Sequence, residues 1–324
     1  MAAYRFCRTD DIGLLTDALN RCWLPYFPDE PATTPASFKQ SIRDRQVWCS
    51  SCMVAFAGAD PIGVLIGAKR ASGTLIHKIA VHPEHRRQEH GRHLLTSLGS
   101  KLAILGPPRM VAEVPEALGA ACGLFSASGY VEEAYLTDYV FRSDESGAGT
   151  THVGSGPLSE GSGSLSQRAV PQHAEPGRFV IPVTVDDLVA NGVLGEPDRQ
   201  TCWTRSVETL TARKDRIAGL AVASDERIDA YVLYETRTAD AGPGDAPSGP
   251  ADVADMEIVA LRSFVEDDGG SLRQLLAAVR RRDPGTTVRF TKVHAAEFAS
   301  GFLETLGFRP AGRHLLFAGT ARSH

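Results

Sequence analysis

"IAVHPEHRRQEHGRHLL", Ile79 to Leu95, decides how this chain is read. It opens on an apolar run, passes through a basic turn whose single glycine is Gly91, and closes on the first apolar residues of a helix. Strand, turn and helix start together make an anion site. The first N–H groups of a helix have no intrahelical partner, and the helix dipole puts partial positive charge there. Arg86, Arg87 and Arg92 add full charges, and a guanidinium suits phosphate geometry. Three arginines around a helix start oppose its dipole unless an anion is present. The bland alternative is a solvated basic helix start with no ligand.

Working outward, hydrophobic periodicity orders the first part of the chain. Residues 4–8 read as a short strand, and Asp10 or Asp11 caps a helix running to about Trp23. A helix from about Pro35 to Arg45 follows. "CMVAFA" and "PIGVLIGAKR" are strands around the turn "GADP", and "TLIHKIAV" is a third. Residues 91–105 form an amphipathic helix on Leu94, Leu95, Leu98, Leu102 and Leu105. "MVAEV" is a strand, 117–128 a helix and "YLTDYVF" a closing strand.

Residues 143–177 are rich in Gly and Ser and read as a flexible linker. A similar run, 237–255, reads as a long loop. Beyond the linker much of the first pattern returns. "GLAVAS", "RIDAYVLYET" and "MEIVALRS" are strands, "SLRQLLAAVRRR" a helix, "TVRFTKV" a strand, "AAEFASGFLETL" a helix and "RHLLFAG" the last strand. "SASGY" matches "ETLGF", and "RHLL" matches "RQLL". The expected organisation is therefore two copies of one α/β (α+β) mixed-sheet unit in tandem, residues 1–142 and 178–324, the second diverged.

Length, with 43% apolar and 23% charged residues, fits a soluble globular protein of two domains. A net charge of −5 argues against general nucleic-acid binding. The charged start "MAAYRFCRTDDIG" does not read as a signal peptide, and no apolar run is long enough for a bilayer, so a cytoplasmic location without membrane contact is expected. Cys7, Cys22, Cys49, Cys52, Cys122 and Cys202 read as free structural thiols, since the Cys49–Cys52 pair has no second CxxC to complete a zinc site. His82, His85, His90 and His93 crowd the basic turn; they read as solvated surface histidines, and no metal is assigned.

The central stretch resembles motif A of the GNAT acyl-CoA-dependent N-acetyltransferases: strand, V-x-P, Q/R-x-x-G-x-G/A, helix. Here Val81, Pro83, Arg86, Glu89 and Gly91 fill those places. The later "AEV" and "SGY" resemble that family's following strand and helix end, so the likeness covers about residues 3–141 and, more weakly, 178–320. It implies acetyl-CoA as co-substrate and an amine as acceptor. Ile79, Ala80 and Val81 would pair with the pantetheine arm. Arg86, with the amides of Arg87, Gln88, Glu89, His90, Gly91 and Arg92, would hold the pyrophosphate. Glu89 departs from the family's glycine: its charge repels a diphosphate, and a left-handed residue here would cost roughly 1–2 kcal/mol. Weakened binding is expected rather than none.

The resemblance also places a base at Glu113. The family's general acid position is Phe125 and its asparagine position is Leu118, both departures, so Tyr130 is a substitute donor, with Tyr135, Tyr139 or water as others. Trp23, Tyr26, Asp29 and Glu30, in "RCWLPYFPDEP", suit a cationic amine or simply close the core. In the second copy Glu266, Asp267 and Asp268 replace the arginines, so it reads as a non-catalytic partner that closes one side of the first copy's cleft. Three functions stay open: N-acetyltransfer by direct attack in the first copy, acyl-CoA binding without turnover, and a structural protein that binds no CoA.

Overall fold

The structure is a computed structural model, and it describes residues 2–142, 178–194, 202–237, 255–282 and 286–321. The expected linker and the interior of the long loop lie outside the described residues. The first half holds β1 (Ala2–Phe6), α1 (Ile12–Cys22), α2 (Pro35–Arg45), β2 (Met53–Ala57), β3 (Asp60–Lys69), β4 (Thr74–Val81), α3 (His90–Leu105), β5 (Arg109–Pro115), α4 (Gly119–Ala127) and β6 (Val131–Phe141). The second holds β7 (Phe179–Val183), α5 (Val185–Ala190), α6 (Val207–Ala212), β8 (Ala218–Ala223), β9 (Ile228–Arg237), β10 (Asp255–Ser263), α7 (Gly270–Arg282), β11 (Thr287–His294), α8 (Phe302–Thr305) and β12 (Arg309–Thr320).

Local chemistry explains the boundaries. Thr34 and Ser37 form a reciprocal capping box ahead of Pro35, which has no N–H to waste at a helix start. Asp11 precedes α1 without capping it; its carboxylate instead accepts from the Arg8 N–H and pairs with Arg5. The expected helix over "AAEFASGFLETL" shrinks to α8, because Gly301 takes a left-handed φ of 74° that starts the helix anew.

The twelve strands of the described residues join one sheet in the order β1-β2-β3-β4-β5-β12-β6-β11-β10-β9-β8-β7. Read inward from either end, this is the same series twice, with the last strand of each half exchanged. β12, the end of the chain, pairs antiparallel with β5 from His314 opposite Pro115 to Thr320 opposite Arg109. β6, the end of the first half, lies between β12 and β11. The strands expected to close each unit thus close the other one. Each inner strand gains two neighbours, which satisfies backbone groups that two separate sheets would leave at open edges.

β5 alternates. Met110, Ala112 and Val114 enter a core with Leu94, Leu98, Phe125 and Phe317. Val111 packs on the opposite core, which contains Leu15, Val64, Leu75 and Ala80, and period-two geometry puts Glu113 on that same face. One residue of the second half, Trp203, is buried in this core of the first half.

Candidate active site

β4 and β5 pair in parallel only at Thr74–Met110 and Leu75–Val111. Beyond that β5 stays with β12 and β4 with β3, so the two strands part, and among the described residues no strand is paired with the edge of β4 that faces β5. The β3–β4 register shifts at Ile66/Gly67, which leaves His77 as an extra residue on β4 where the strands separate. At the far end of this edge the His82 N–H donates to Ile62 on β3 at 2.9 Å. The Val81 carbonyl, on the other side of that peptide, therefore points into the parting. Tyr26 Oη donates to it at 2.7 Å.

The parting leads into the basic turn. Arg87 and Glu89 both adopt left-handed backbone, at φ 63° and 62°. The turn thus demands at Glu89 the conformation that glycine supplies without strain. Its carboxylate points outward, 70% exposed, and pairs with Arg92 at 2.7 Å. The turn holds this backbone conformation with Glu89 in place. Gly91 serves packing as well as any ligand, because a Cβ there would stand 3.0 Å from Leu124 Cδ2. His90 corrects the surface reading of the histidines: it is buried, its Nδ1 lies 2.7 Å from Tyr4 Oη, and burial followed by the neighbouring imidazoles lowers its pKa. His93 stacks on the Tyr4 ring at 3.7 Å.

The candidate acceptor residues form two groups. Trp23 Nε1 donates to Glu30 Oε2 at 2.9 Å, and Lys78 reaches the same oxygen at 3.3 Å while lying over the Trp23 ring. Tyr26 stands with Arg86, whose guanidinium lies 5.7 Å from the centre of its ring. Asp29 is exposed. Both groups border the free edge of β4.

Glu113 is elsewhere in character. Its Oε2 pairs with Lys292 Nζ of β11 at 3.0 Å, and its Oε1 accepts the Trp203 N–H at 2.6 Å. Burial pushes its pKa up, but the Lys292 charge and these hydrogen bonds outweigh burial and hold it below the ordinary carboxylate value. Lys292 is itself unusual. It takes a left-handed φ of 53°, at the break in β11–β6 pairing, and its N–H donates to Asp138 Oδ1 at 2.7 Å. The strap carrying Trp203 is clamped from both sides. Arg70 lies 3.7 Å from the Trp203 ring centre and donates to its carbonyl at 2.9 Å, while Arg205 donates to Lys292 O at 2.6 Å and pairs with Glu297 at 2.5 Å.

Tyr130 lies in the core, 5.2 Å edge-on to Phe125, its hydroxyl 3.6 Å from Met110 Sδ, and burial raises its pKa. Phe125 stacks on Phe317 of β12, and Leu118 packs at the start of α4. This cluster sets the Tyr130 hydroxyl against Met110 on the core side of β5.

In the second half, β10 and β11 part beyond Glu257–Arg289 in the same way. A cavity of about 630 Å³ opens there, lined by Leu261, Phe298 and Phe302 together with Glu266, Asp267 and Asp268. Asp267 caps α7 through Ser271 N at 2.7 Å. Carboxylates at this helix start cap it well and repel a diphosphate.

Sequence reasoning missed His77, Lys292 and Trp203. A histidine interrupting the apolar run "TLIHKIAV" was the one local signal; nothing near Lys292 or Trp203 pointed to Glu113.

Residues 14–130 match the model of the Acetyltransferase (GNAT) family. No curated protein matches the sequence. Among solved structures, a tandem GNAT protein from the clavulanic acid biosynthesis pathway aligns over 99% of both chains with 16% identity and a TM-score of 0.61. A GCN5-related N-acetyltransferase from Sphaerobacter thermophilus aligns over 99% of this chain and 96% of its own, with 12% identity and a TM-score of 0.61. One from Anabaena variabilis covers 99% and 73%, with 11% identity and a TM-score of 0.58. Residues 14–130 thus carry the match to the GNAT acetyltransferase family model, and the repeated, strand-exchanged sheet shares its fold with tandem GNAT proteins.

Proposed function

We propose that the first half transfers an acetyl group from acetyl-CoA to an amine by direct attack. The observation that carries this reading is the free edge of β4, which runs from the parting at Leu75 into the turn 86–91 at the start of α3. An extended amide-bearing arm can complete that edge as a strand would, and its diphosphate then reaches the unpaired N–H groups of α3 and the side chains of Arg86, Arg87 and Arg92. Tyr26 must release the Val81 carbonyl for the arm to use it. Trp23, Tyr26 and Glu30 border the same edge and are assigned to the acceptor.

Direct attack needs a base for the amine. Glu113 in its paired form has both oxygens occupied and lowered basicity, so the base is reassigned to His77. It stands half-buried at the bulge where the strands part, and a neutral imidazole nitrogen can accept the amine's proton. The departing thiolate, with an ordinary thiol pKa of about 8.5, takes its proton from water.

A second reading, acyl-CoA binding without turnover, is favoured by the occupied Glu113 and by the core position of Tyr130. Calorimetric titration with acetyl-CoA and an assay against a panel of amines separate the two. Under the first reading the wild type binds and acetylates, and His77→Ala loses about 10²–10⁴-fold in kcat with little change in acetyl-CoA affinity. An unchanged rate in His77→Ala returns the base to another residue. Binding with no product on any amine supports the second reading, and no binding sinks both.

A further inference from the structure

The 82–85 turn between β4 and α3 gathers two imidazoles and a carboxylate. His82, Glu84 and His85 each bring a ligand atom to within 4.8 Å of the others. The backbone beneath them is already set. His82 N–H donates to Ile62 O and His85 N–H to His82 O, both at 2.9 Å, and Pro83 fixes the turn between them. The His82 and His85 rings lie 6.0 Å apart, tilted by 58°. Two imidazoles on one zinc ion, at ~2.0–2.1 Å per Zn–N bond, put their ring centres about 5–6 Å apart. Arg86, the nearest cation in sequence, is turned over the Tyr26 ring.

From this geometry we infer that His82, Glu84 and His85 form a binding site for a zinc-class divalent ion. Imidazole nitrogen suits zinc, copper and nickel over magnesium or calcium, and one carboxylate offsets part of the charge. Three protein ligands leave at least one coordination position for water or an anionic oxygen, which marks an exchangeable site rather than a closed structural one. The Glu84 N–H contact to His82 Nδ1, long at 3.4 Å, is given up when that imidazole reorients to coordinate. His90 and His93 stand at i, i+3 on α3, the spacing that puts two side chains on one helix face. The fold spends those two on Tyr4 and brings His82 and His85 together instead. The inference requires neither acyl-CoA nor turnover.

The test uses the full chain and the metal alone. Zinc chloride is titrated calorimetrically, and cobalt(II) is followed by its visible absorption. One ion per chain is expected, with at least a tenfold weaker Kd in both Glu84→Gln and His85→Ala and an unchanged Kd in His93→Ala. Circular dichroism confirms that the variants fold, which is expected of Glu84→Gln because Glu84 is exposed. Absence of saturable binding, or full affinity retained in either ligand variant, overturns the assignment.

Discussion

Replacing Lys292 with methionine tests whether the seam between the halves rests on one buried charge pair. The charges stand 3.0 Å apart, with the Glu113 side chain 5% exposed and that of Lys292 25% exposed. At an effective dielectric of ~20 their attraction is about 5 kcal/mol, and the exposed part of Lys292 lets water recover some of it. Methionine also leaves Glu113 buried without its cation. The expected loss is about 2–4 kcal/mol at neutral pH. Its pH dependence has a defined sign. Glu113 titrates below its ordinary value of 4.5 when folded, so its contribution is complete above that value and fades as pH falls through the lowered folded value. Lys292 titrates above its ordinary 10.5, so its contribution is complete below that value and fades as pH rises through the raised one. The wild type should therefore exceed Lys292→Met most between about pH 5 and 10, and the gap should close in acid. Urea unfolding followed by tryptophan fluorescence reads this directly, because Trp203 is bonded to Glu113. Adding Glu113→Gln should recover most of the loss, since no uncompensated charge then stays buried. A loss under 1 kcal/mol, or one independent of pH, would refute the reasoning.

Two further outcomes follow from the fold. Glu89→Gly relieves a left-handed φ of 62° and frees Arg92 from its pair with the outward carboxylate, so it should stabilise the chain by about 1 kcal/mol and, under the proposed function, tighten acetyl-CoA binding roughly fivefold; unchanged thermal and calorimetric titrations would show that neither effect operates. A fragment of residues 1–142 lacks β12, so β5 loses the strand it pairs with, and Phe125 loses Phe317. It should be aggregated or unfolded by circular dichroism and gel filtration, whereas co-expression with 178–324 should restore a soluble complex; a well-folded monomeric fragment would show that the exchange is dispensable.

Local patterns were legible where local forces decide the outcome. The period of Leu94, Leu95, Leu98 and Leu102 marked α3, the helix expected from about Pro35 to Arg45 is α2, and the basic run before Gly91 marked the turn that leads into α3. Even the oddity of Glu89 was readable as a residue in a glycine's place, because backbone conformation at a helix start depends on neighbours in the chain. The repeat was legible too, since each half carries its own strand–helix series.

What the sequence could not determine is which strand closes which half. "YLTDYVF" and "RHLLFAG" both read as strands, and nothing in either says which unit's β-strand it will pair with. Only the packed sheet sets β12 against β5 and β6 against β11. The fate of Glu113 follows from that choice. Its strand position was plain, but its basicity depends on a charge 179 positions away in the chain, brought to 3.0 Å by the sheet. Electrostatic and packing partners distant in sequence leave no mark on local composition or periodicity, so the basic turn and its helix start could be read from the chain alone, while the charge pairing of Glu113 was decided by tertiary structure.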